Sequence, residues 1–386
     1  MAWWSQFDQA QVANDFGRIA ASGLDSVRVF LTWEDFQPAP SRVDAKMLRR
    51  LVEVADLAAD LELALIPTLF TGHMSGVNWI PCWALGGSDG NSRFRVVSRG
   101  RVAPPGLRNW YGDPAVVDAQ AVLAAEAAAA LSGHEALWAW DLGNENSNCV
   151  APPTRAASRA WLARITSAIR GADETALVTV GLHMEDLEED RQLGPREAAE
   201  VCDFLSMHGY PIYARWANGS TDEQLLPFLA RMTCWLGEGR EVLFSEFGLP
   251  TYRRDDPSGD STAGAATPLI DEDAAAEYTT RALTALRRSG CLGAMLWCYS
   301  DYDRAIWQNP PLDLARHERT FGLWRADGTA KPSVAAVTAF VGAERCAPEH
   351  TDTWIDIERD QFWSDPSSQL PRLYQAFQSA LPPTEA

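Results

Sequence analysis

The chemistry of this chain is suggested by two glutamates that each follow a short apolar stretch. The first stretch, Trp-Ala-Trp-Asp-Leu-Gly-Asn-Glu-Asn at positions 138–146, begins as a strand and ends at Asn144 and Glu145. The second stretch, Glu-Val-Leu-Phe-Ser-Glu-Phe-Gly at positions 241–248, carries Glu246 near its end. Barrel enzymes place their catalytic groups just beyond the ends of buried strands. A pair of carboxylates in that position is suited to the hydrolysis of a glycosidic bond.

Strands alternate with helices along most of the chain, and this alternation decides the predicted fold class. The apolar runs predict seven strands, at 26–32, 63–69, 138–142, 176–181, 204–207, 241–246 and 293–297. Capping residues and helical spacing predict helices at 8–21, 44–60, 113–131, 155–170, 195–201, 222–236, 271–289 and 332–341. So many units favour an α/β fold of the (β/α)8 TIM-barrel type. No glycine-rich phosphate loop follows a strand, which disfavours a doubly wound sheet.

The first strand of such a barrel is missing or atypical, because the chain opens in the helix that should follow it. We therefore expect the barrel to occupy residues 1–344 with seven recognisable strands. Residues 345–386 are polar and contain proline, and we expect them to form a C-terminal segment packed on the barrel.

Composition limits the partners of the protein. The 386 residues carry a formal net charge of -19, which disfavours nucleic acid and anionic membranes as partners. The seven cysteines contain no CxxC pair, which fits reduced thiols better than disulfides or a zinc site. No signal peptide is visible, and the apolar stretch 121–131 is too short to span a bilayer. We expect a cytoplasmic protein, and its oligomeric state is not fixed by these patterns.

A long connection and an excess of tryptophan point to a binding surface. The chain has 16 tryptophans, and aromatic rings stack on the apolar faces of sugars. Residues 70–111 form a connection with little periodicity, and such long connections are more often functional than simple links. This connection carries His73 and Trp79, and it could narrow a cleft into a pocket for short oligosaccharides.

Taken together, these motifs resemble the clan A retaining glycoside hydrolases, most closely the cellulase- and mannanase-like enzymes of glycoside hydrolase family 5. The resemblance covers roughly residues 10–340. It rests on the order and strand-end placement of the following residues: Arg28, Asn144, Glu145, His208, Gly209, Tyr210, Glu246 and Trp297. It implies a retaining β-glycosidase without metal or organic cofactor that acts on glucoside- or mannoside-type substrates.

The resemblance also implies roles for the two glutamates. Glu145 would be the acid/base, kept protonated by burial and by the negative field of Glu246, which would be the nucleophile. Arg28 lies in an apolar strand and must be paired, and we expect its partner to be Glu246 or a neighbour of Glu246. Together with the hydroxyl of Tyr210, Arg28 would keep Glu246 ionised.

Further residues are expected to contact the sugar. Asn144 would bind the 2-hydroxyl, His208 and Tyr210 would line the site, and Trp297 would form a floor under the ring. His73, Trp33, Glu34, Trp79 and Asp301 are weaker candidates for substrate contacts. For each of these residues a purely structural role remains an alternative.

Two other functions remain open. A metal-dependent barrel hydrolase would need a His-x-His pair on an early strand, and the six histidines contain no such pair. A barrel that binds carbohydrate without hydrolysing it, because the missing strand has impaired it, is the second alternative. Turnover of an aryl β-glycoside, with and without a chelator, distinguishes the three.

Overall fold

The structure is a computed structural model that describes residues 3–88, 93–254, 267–348 and 352–381. Residues 255–266 and 349–351 therefore lie outside the described chain. The described chain divides into two compact units. The first contains residues up to Gly181 and Arg191–Asp203, and the second contains Leu182–Asp190 and the chain from Phe204 onward.

The described strands and helices follow the predicted alternation closely. The strands are β1 Ser26–Phe30, β2 Ala64–Thr68, β3 Gly72–Met74, β4 Val77–Trp79, β5 Arg95–Ser98, β6 Arg101–Ala103, β7 Trp140–Asn144, β8 Val178–His183, β9 Leu205–His208, β10 Val242–Phe247, β11 Thr251–Tyr252, β12 Ile270–Asp271 and β13 Gly293–Leu296. The helices are α1 Gln9–Ala21, α2 Trp33–Phe36, α3 Ala45–Asp60, α4 Pro114–Leu131, α5 Arg155–Ala172, α6 Glu185–Glu188, α7 Pro195–Ala199, α8 Leu225–Leu236, α9 Glu272–Arg288, α10 Pro332–Phe340, α11 Arg359–Ser364 and α12 Pro366–Ala380. All seven predicted strands are present, as β1, β2, β7, β8, β9, β10 and β13.

In the first unit, parallel strands run in chain order. β1 pairs with β2 from Ser26↔Ala64 to Phe30↔Thr68, and β2 pairs with β7 at Thr68↔Asp141. β7 then pairs with β8, with Asn144 opposite Gly181. Because parallel strands place their carboxyl ends on one edge, Thr68, Asn144 and Gly181 mark the edge where side chains can converge.

The helices of the first unit begin at residues that cap them. The carboxylate of Asp8 accepts the backbone N–H of Ala10, and Asp113 does the same for Ala115 at the start of α4. By length and composition, α4 is the one helix among the described residues that could cross a membrane, although half of it is buried in the structure. This helix is longer than the apolar stretch 121–131. The core helix of a soluble protein meets the same criterion, so the observation is weak evidence.

The predicted loop 70–111 contains a small sheet, which is a correction to the sequence interpretation. β3 and β4 form an antiparallel pair, β4 pairs with β5 in parallel, and β5 and β6 form a second antiparallel pair. Each strand has only three or four residues, too few to show a two-residue periodicity in the sequence. The connection is therefore an ordered platform that carries His73 and Trp79.

In the second unit, β9, β10 and β13 are parallel neighbours, with Val242 opposite Leu205 and Leu243 opposite Gly293. β11 and β12 form a separate two-stranded pair. All six residues of β10 are buried, which explains its continuous apolar pattern around Glu246.

The C-terminal residues contain two helices that pack within the second unit. The hydroxyl of Tyr374 on α12 donates to Asp222 at 2.6 Å, and the ring of Phe377 lies 5.6 Å from that of Phe228 on α8. The guanidinium of Arg231 forms an ion pair with Asp352. These contacts link the segment to α8 and to the turn that precedes it.

Candidate functional site

A buried ion pair organises the end of β7 in the first unit. Arg28 Nε and Nη2 donate to Asp141 Oδ2 at 2.9 and 2.6 Å, and the two side chains are only 6% and 2% exposed. The hydroxyl of Thr68 donates to the same oxygen at 2.8 Å. The other oxygen, Oδ1, accepts the backbone N–H groups of Gly143 and Gly181. Asp141 is therefore held by charge and by hydrogen bonds to β2, β7 and β8.

Arg28 also fixes the side chain of Asn144. Arg28 Nη2 donates to Asn144 Oδ1 at 2.7 Å, and Asn144 Nδ2 donates to the backbone carbonyl of His73 on β3. Because a guanidinium can only donate, the amide of Asn144 has a defined orientation with its N–H groups directed away from Arg28. The predicted residues Arg28, Asn144 and His73 are thus brought together, and Asp141 is the partner of Arg28 that the prediction overlooked.

Glu145 lies on the turn that follows β7, in a backbone conformation that is unusual for glutamate. Its φ and ψ are 47° and 42°, which is the left-handed region that non-glycine residues seldom occupy. Its backbone N–H donates to Gly181 O at 3.0 Å, and its Oε2 accepts Asn148 Nδ2 at 3.3 Å. Strained residues of this kind concentrate at functional sites, because the surrounding structure must hold them in place.

The small sheet of the first unit packs closely against this turn. Gly72 on β3 has φ +64°, and a Cβ there would lie 2.8 Å from the carbonyl oxygen of Asn144. Only glycine permits this approach. His73 Nδ1 contacts Asn78 Oδ1 at 2.8 Å, and Asn78 Nδ2 donates to Asn148 O. Since Asn78 uses its carbonyl oxygen here, His73 carries a proton on Nδ1.

In the second unit, Glu246 near the end of β10 contacts two side chains, one from the last residue of β9 and one from the turn that follows it. The hydroxyl of Tyr210 donates to Glu246 Oε2 at 2.8 Å, and His208 Nδ1 lies 3.7 Å from the same oxygen. Glu246 is buried, and His208 is fully buried. A hydrogen bond donated to a carboxylate favours its ionised form. His208, Tyr210 and Glu246 are therefore grouped as the sequence suggested.

Asp301 and Lys331 form a second buried ion pair in the second unit. Lys331 Nζ donates to Asp301 Oδ1 at 2.6 Å, to Thr251 Oγ1 and to the carbonyl oxygen of Thr320. Burial raises the pKa of Asp301 and lowers that of Lys331. Asp301 also accepts the backbone N–H of Gly322. These bonds connect the chain after β13 to the chain after β10, and they give Asp301 a structural role where a substrate contact was expected.

Three tryptophans were predicted to contact substrate, and they differ in how much of the side chain is exposed. Trp33 is fully buried and donates its indole N–H to Gln37 Oε1 at 2.8 Å. It presents no surface to a ligand. The prediction that Trp33 contacts substrate is therefore corrected, and Trp33 is a core residue. Trp79 is 7% exposed and donates to the carbonyl of Met74 within the small sheet. Trp297 directly follows β13 and is partly exposed.

Glu34 also has a structural contact that the sequence did not reveal. Its Oε2 accepts the backbone N–H of Arg99 at 2.6 Å, at the turn between β5 and β6. Burial raises the pKa of this carboxyl group above its usual value. Glu34 therefore anchors the small sheet to the short helix that follows β1.

Several residues near the two glutamates were missed by the sequence analysis. Asp141 could have been found, because a carboxylate inside an apolar strand needs a partner and Arg28 is a cation inside another strand of the same unit. Asn148, Arg191 and Lys331 carried no such signal. Their roles depend on contacts between residues that are distant in the chain. Arg191 and Asn148 are 43 positions apart, and Lys331 and Asp301 are 30 positions apart.

The comparisons with known proteins bear on the fold and on the class of enzyme. No protein-family model and no curated protein matches the chain. Among solved structures, it is similar to GH5_18 from Streptomyces cattleya in complex with GlcNAc, with a TM-score of 0.79, 22% identity, and 98% of this chain and 88% of that chain covered. A variant of that protein in complex with Manβ1-4GlcNAc gives a TM-score of 0.77 at 22% identity, covering 98% of this chain and 89% of the other.

A further similarity has higher sequence identity. The exo-β-1,4-mannosidase Op5Man5 from Opitutaceae bacterium strain TAV5 is 26% identical, with a TM-score of 0.69 over 89% of this chain and 57% of that chain. These matches confirm the predicted (β/α)8-barrel fold with an atypical first strand, and the resemblance to family 5 of the clan A glycoside hydrolases. They also confirm the predicted class of enzyme, a glycosidase.

Proposed function

We propose that the chain is a retaining β-glycosidase that hydrolyses β-mannosidic bonds by double displacement, with Glu246 as nucleophile and Glu145 as acid/base. The observation that carries the proposal is the hydrogen bond from Tyr210 to Glu246, at the end of a fully buried strand. A buried carboxylate is costly unless donors surround it, and here a phenolic hydroxyl supplies one.

The first chemical step uses Glu246 as a nucleophile. The carboxylate of Glu246, whose Oε2 accepts the hydroxyl of Tyr210, attacks the anomeric carbon. The glycosidic C–O bond breaks as the ester bond to Glu246 forms. The negative charge of the carboxylate is lost as the ester forms and returns when water hydrolyses the ester.

Glu145 supplies and recovers the proton. In the first step it protonates the departing glycosidic oxygen, and in the second step it takes a proton from the water that hydrolyses the glycosyl ester. Its fixed backbone conformation and the contact from Asn148 hold the carboxyl group in place between the two steps. The cycle therefore returns both glutamates to their starting states.

Mannosides are the proposed substrates because of the similar solved structures. One of these is named as an exo-β-1,4-mannosidase, and another was solved with Manβ1-4GlcNAc. Asn144 is the residue proposed to contact the 2-hydroxyl. Its Nδ2 donates one hydrogen to the carbonyl oxygen of His73, and the second hydrogen can be donated to the 2-hydroxyl of the sugar. Glucosides differ from mannosides at this hydroxyl, so the contact bears on specificity.

Aryl β-mannosides and aryl β-glucosides, each with and without a chelator, provide the test. We expect chelator-resistant turnover, faster for the mannoside, and a product formed first as the β-anomer. The nucleophile variant Glu246→Gln should fold and lose turnover. The matched control is Glu318→Gln, because Glu318 is also buried in the second unit and accepts a tyrosine hydroxyl, that of Tyr213, at 3.2 Å.

The acid role requires a different variant. Glu145→Ala should reduce turnover of substrates with poor leaving groups far more than turnover of activated aryl mannosides, because a good leaving group needs little protonation. Equal losses on both substrate types would contradict the acid role. Sugar binding without any turnover would instead support the carbohydrate-binding alternative, and chelator-sensitive turnover would support a metal hydrolase.

A further inference from the structure

Asn148 contacts the carboxyl group of Glu145 and is itself held by its neighbours. It lies in the one-turn helix Asn146–Asn148 that follows Glu145, and it is only 3% exposed. Its backbone N–H donates to the carbonyl of Glu145 at 2.9 Å, and its own carbonyl accepts Asn78 Nδ2 at 3.0 Å. The backbone of Asn148 is therefore fixed from two sides, by the turn itself and by the small sheet.

The side chain of Asn148 is fixed by Arg191. Arg191 Nη1 donates to Asn148 Oδ1 at 3.0 Å and to Ser147 Oγ at 3.1 Å, and the arginine is 9% exposed. A guanidinium has five donors and no acceptor, so it can face only the oxygen of the amide. The alternative flip of Asn148 would place an NH2 group against the cation. The amide orientation is therefore determined by chemistry, and Nδ2 must face Glu145.

This orientation decides which oxygen of Glu145 can be the acid. Asn148 Nδ2 approaches Glu145 Oε2 at 3.3 Å, and an NH2 group can only donate. Oε2 must then act as an acceptor, and a proton on it would oppose the donor. We propose that Asn148, oriented by Arg191, is a positioning residue that confines the catalytic proton of Glu145 to Oε1. The inference rests on the proposed acid/base role of Glu145.

Two variants of Asn148 test the inference. Asn148→Asp keeps the size of the side chain and the acceptor for Arg191, but it presents an oxygen to Oε2 and draws the proton onto that side. We expect a loss of about 10-fold on mannosides with poor leaving groups, corresponding to one hydrogen bond to a neutral carboxyl group, and a loss of less than about 3-fold on activated aryl mannosides. Asn148→Ala should show the same selectivity.

The role of Arg191 is tested with a matched control. Arg191→Gln removes the cation that orients Asn148 and should reproduce the selective loss, whereas Arg191→Lys keeps a donor and should restore part of it. Ser147→Ala removes a different acceptor of Arg191 and leaves Asn148 in place, so its leaving-group dependence should match that of the wild type. Thermal melting of every variant establishes whether folding is intact. If Asn148→Ala does not fold, the leaving-group dependence of Asn148→Asp alone decides the test.

The outcomes separate this inference from the proposed function. If Glu145→Ala is selective for poor leaving groups while the Asn148 variants lose both substrate types equally, or lose neither, the positioning role is refuted and the acid role stands. If Glu145→Ala itself shows no selectivity, both assignments fail. A selective loss in Asn148→Asp, Asn148→Ala and Arg191→Gln together with normal behaviour of Ser147→Ala supports the positioning role.

Discussion

Replacing Asp141 with asparagine should destabilise the protein strongly, because it removes the charge that balances buried Arg28. The two side chains are 2% and 6% exposed and are joined by bonds of 2.9 and 2.6 Å. Removing one partner of a buried ion pair costs about 3–5 kcal/mol, because the remaining charge is left without compensation. We expect the free energy of unfolding of Asp141→Asn to fall by this amount.

The effect on melting temperature follows from chain length. An entropy of unfolding of about 2.1 cal/mol/K per residue, over 386 residues, gives about 0.8 kcal/mol/K. If the chain unfolds in one step, the predicted loss corresponds to a decrease of about 4–6 °C. The matched control is Asp118→Asn, which breaks an exposed pair with Arg164 at 3.4 Å in the same unit. Such surface pairs contribute about 0–1 kcal/mol, so the control should shift by about 1 °C or less.

A double-mutant cycle provides the decisive assay. Urea denaturation is measured for Arg28→Met, Asp141→Asn and the double variant. The neutral double variant keeps an oxygen at position 141 for the backbone N–H groups of Gly143 and Gly181, so it should lose less than the sum of the two single variants. Losses below about 1 kcal/mol for the single variants, or simple additivity in the double variant, would refute the reasoning.

Three other predictions address other contacts. Tyr210→Phe removes one hydrogen bond to Glu246 and should lower kcat/KM by about 10- to 100-fold and the melting temperature by only about 2–4 °C; an unchanged kcat/KM would contradict the role of the hydroxyl. Lys331→Met leaves Asp301 buried without its cation and should cost about 3–5 kcal/mol in urea denaturation, whereas a cost below about 1 kcal/mol would show that the pair is dispensable. Burial raises the pKa of Glu34 in the folded state above its unfolded value of 4.5. Between the unfolded and the folded pKa the folded state binds more protons than the unfolded state, so stability falls as pH rises through this range. Glu34→Gln should abolish this fall, as measured by urea denaturation at about pH 4 and pH 7; an identical pH dependence in both proteins would contradict the assignment.

The central strands could be predicted because their burial produces a recognisable pattern of apolar residues in the sequence. Strands buried on both faces read as continuous apolar runs, as in the stretch 242–247, and helices between them carry clear caps such as Asp8 and Asp113. The small sheet β3–β6 could not be predicted, because its strands have three or four residues and are stabilised by contacts with the turn after β7. Local sequence carries little information on pairing of that kind.

The two glutamates and their immediate neighbours could be predicted for a different reason. A carboxylate at the end of a buried strand is a local feature of the sequence, and so is the aromatic hydroxyl of Tyr210 after β9. The pairing of Arg28 with Asp141 was not predicted, because the two residues lie in β1 and β7 with β2 between them, and local sequence does not show such a contact. Trp33 was misread because a tryptophan after a strand gives no sign of whether it faces ligand or core.

The most direct test of the account is to trap the glycosyl-enzyme. A 2-deoxy-2-fluoro-β-mannoside with an activated leaving group forms the first ester readily and hydrolyses slowly, so the intermediate accumulates. The account predicts that the intact mass rises by one fluoroglycosyl unit, and that peptide mapping places the unit on Glu246. Turnover of aryl mannosides without such an adduct, or an adduct on any other residue, would contradict the proposal that Glu246 is the nucleophile of a retaining mechanism.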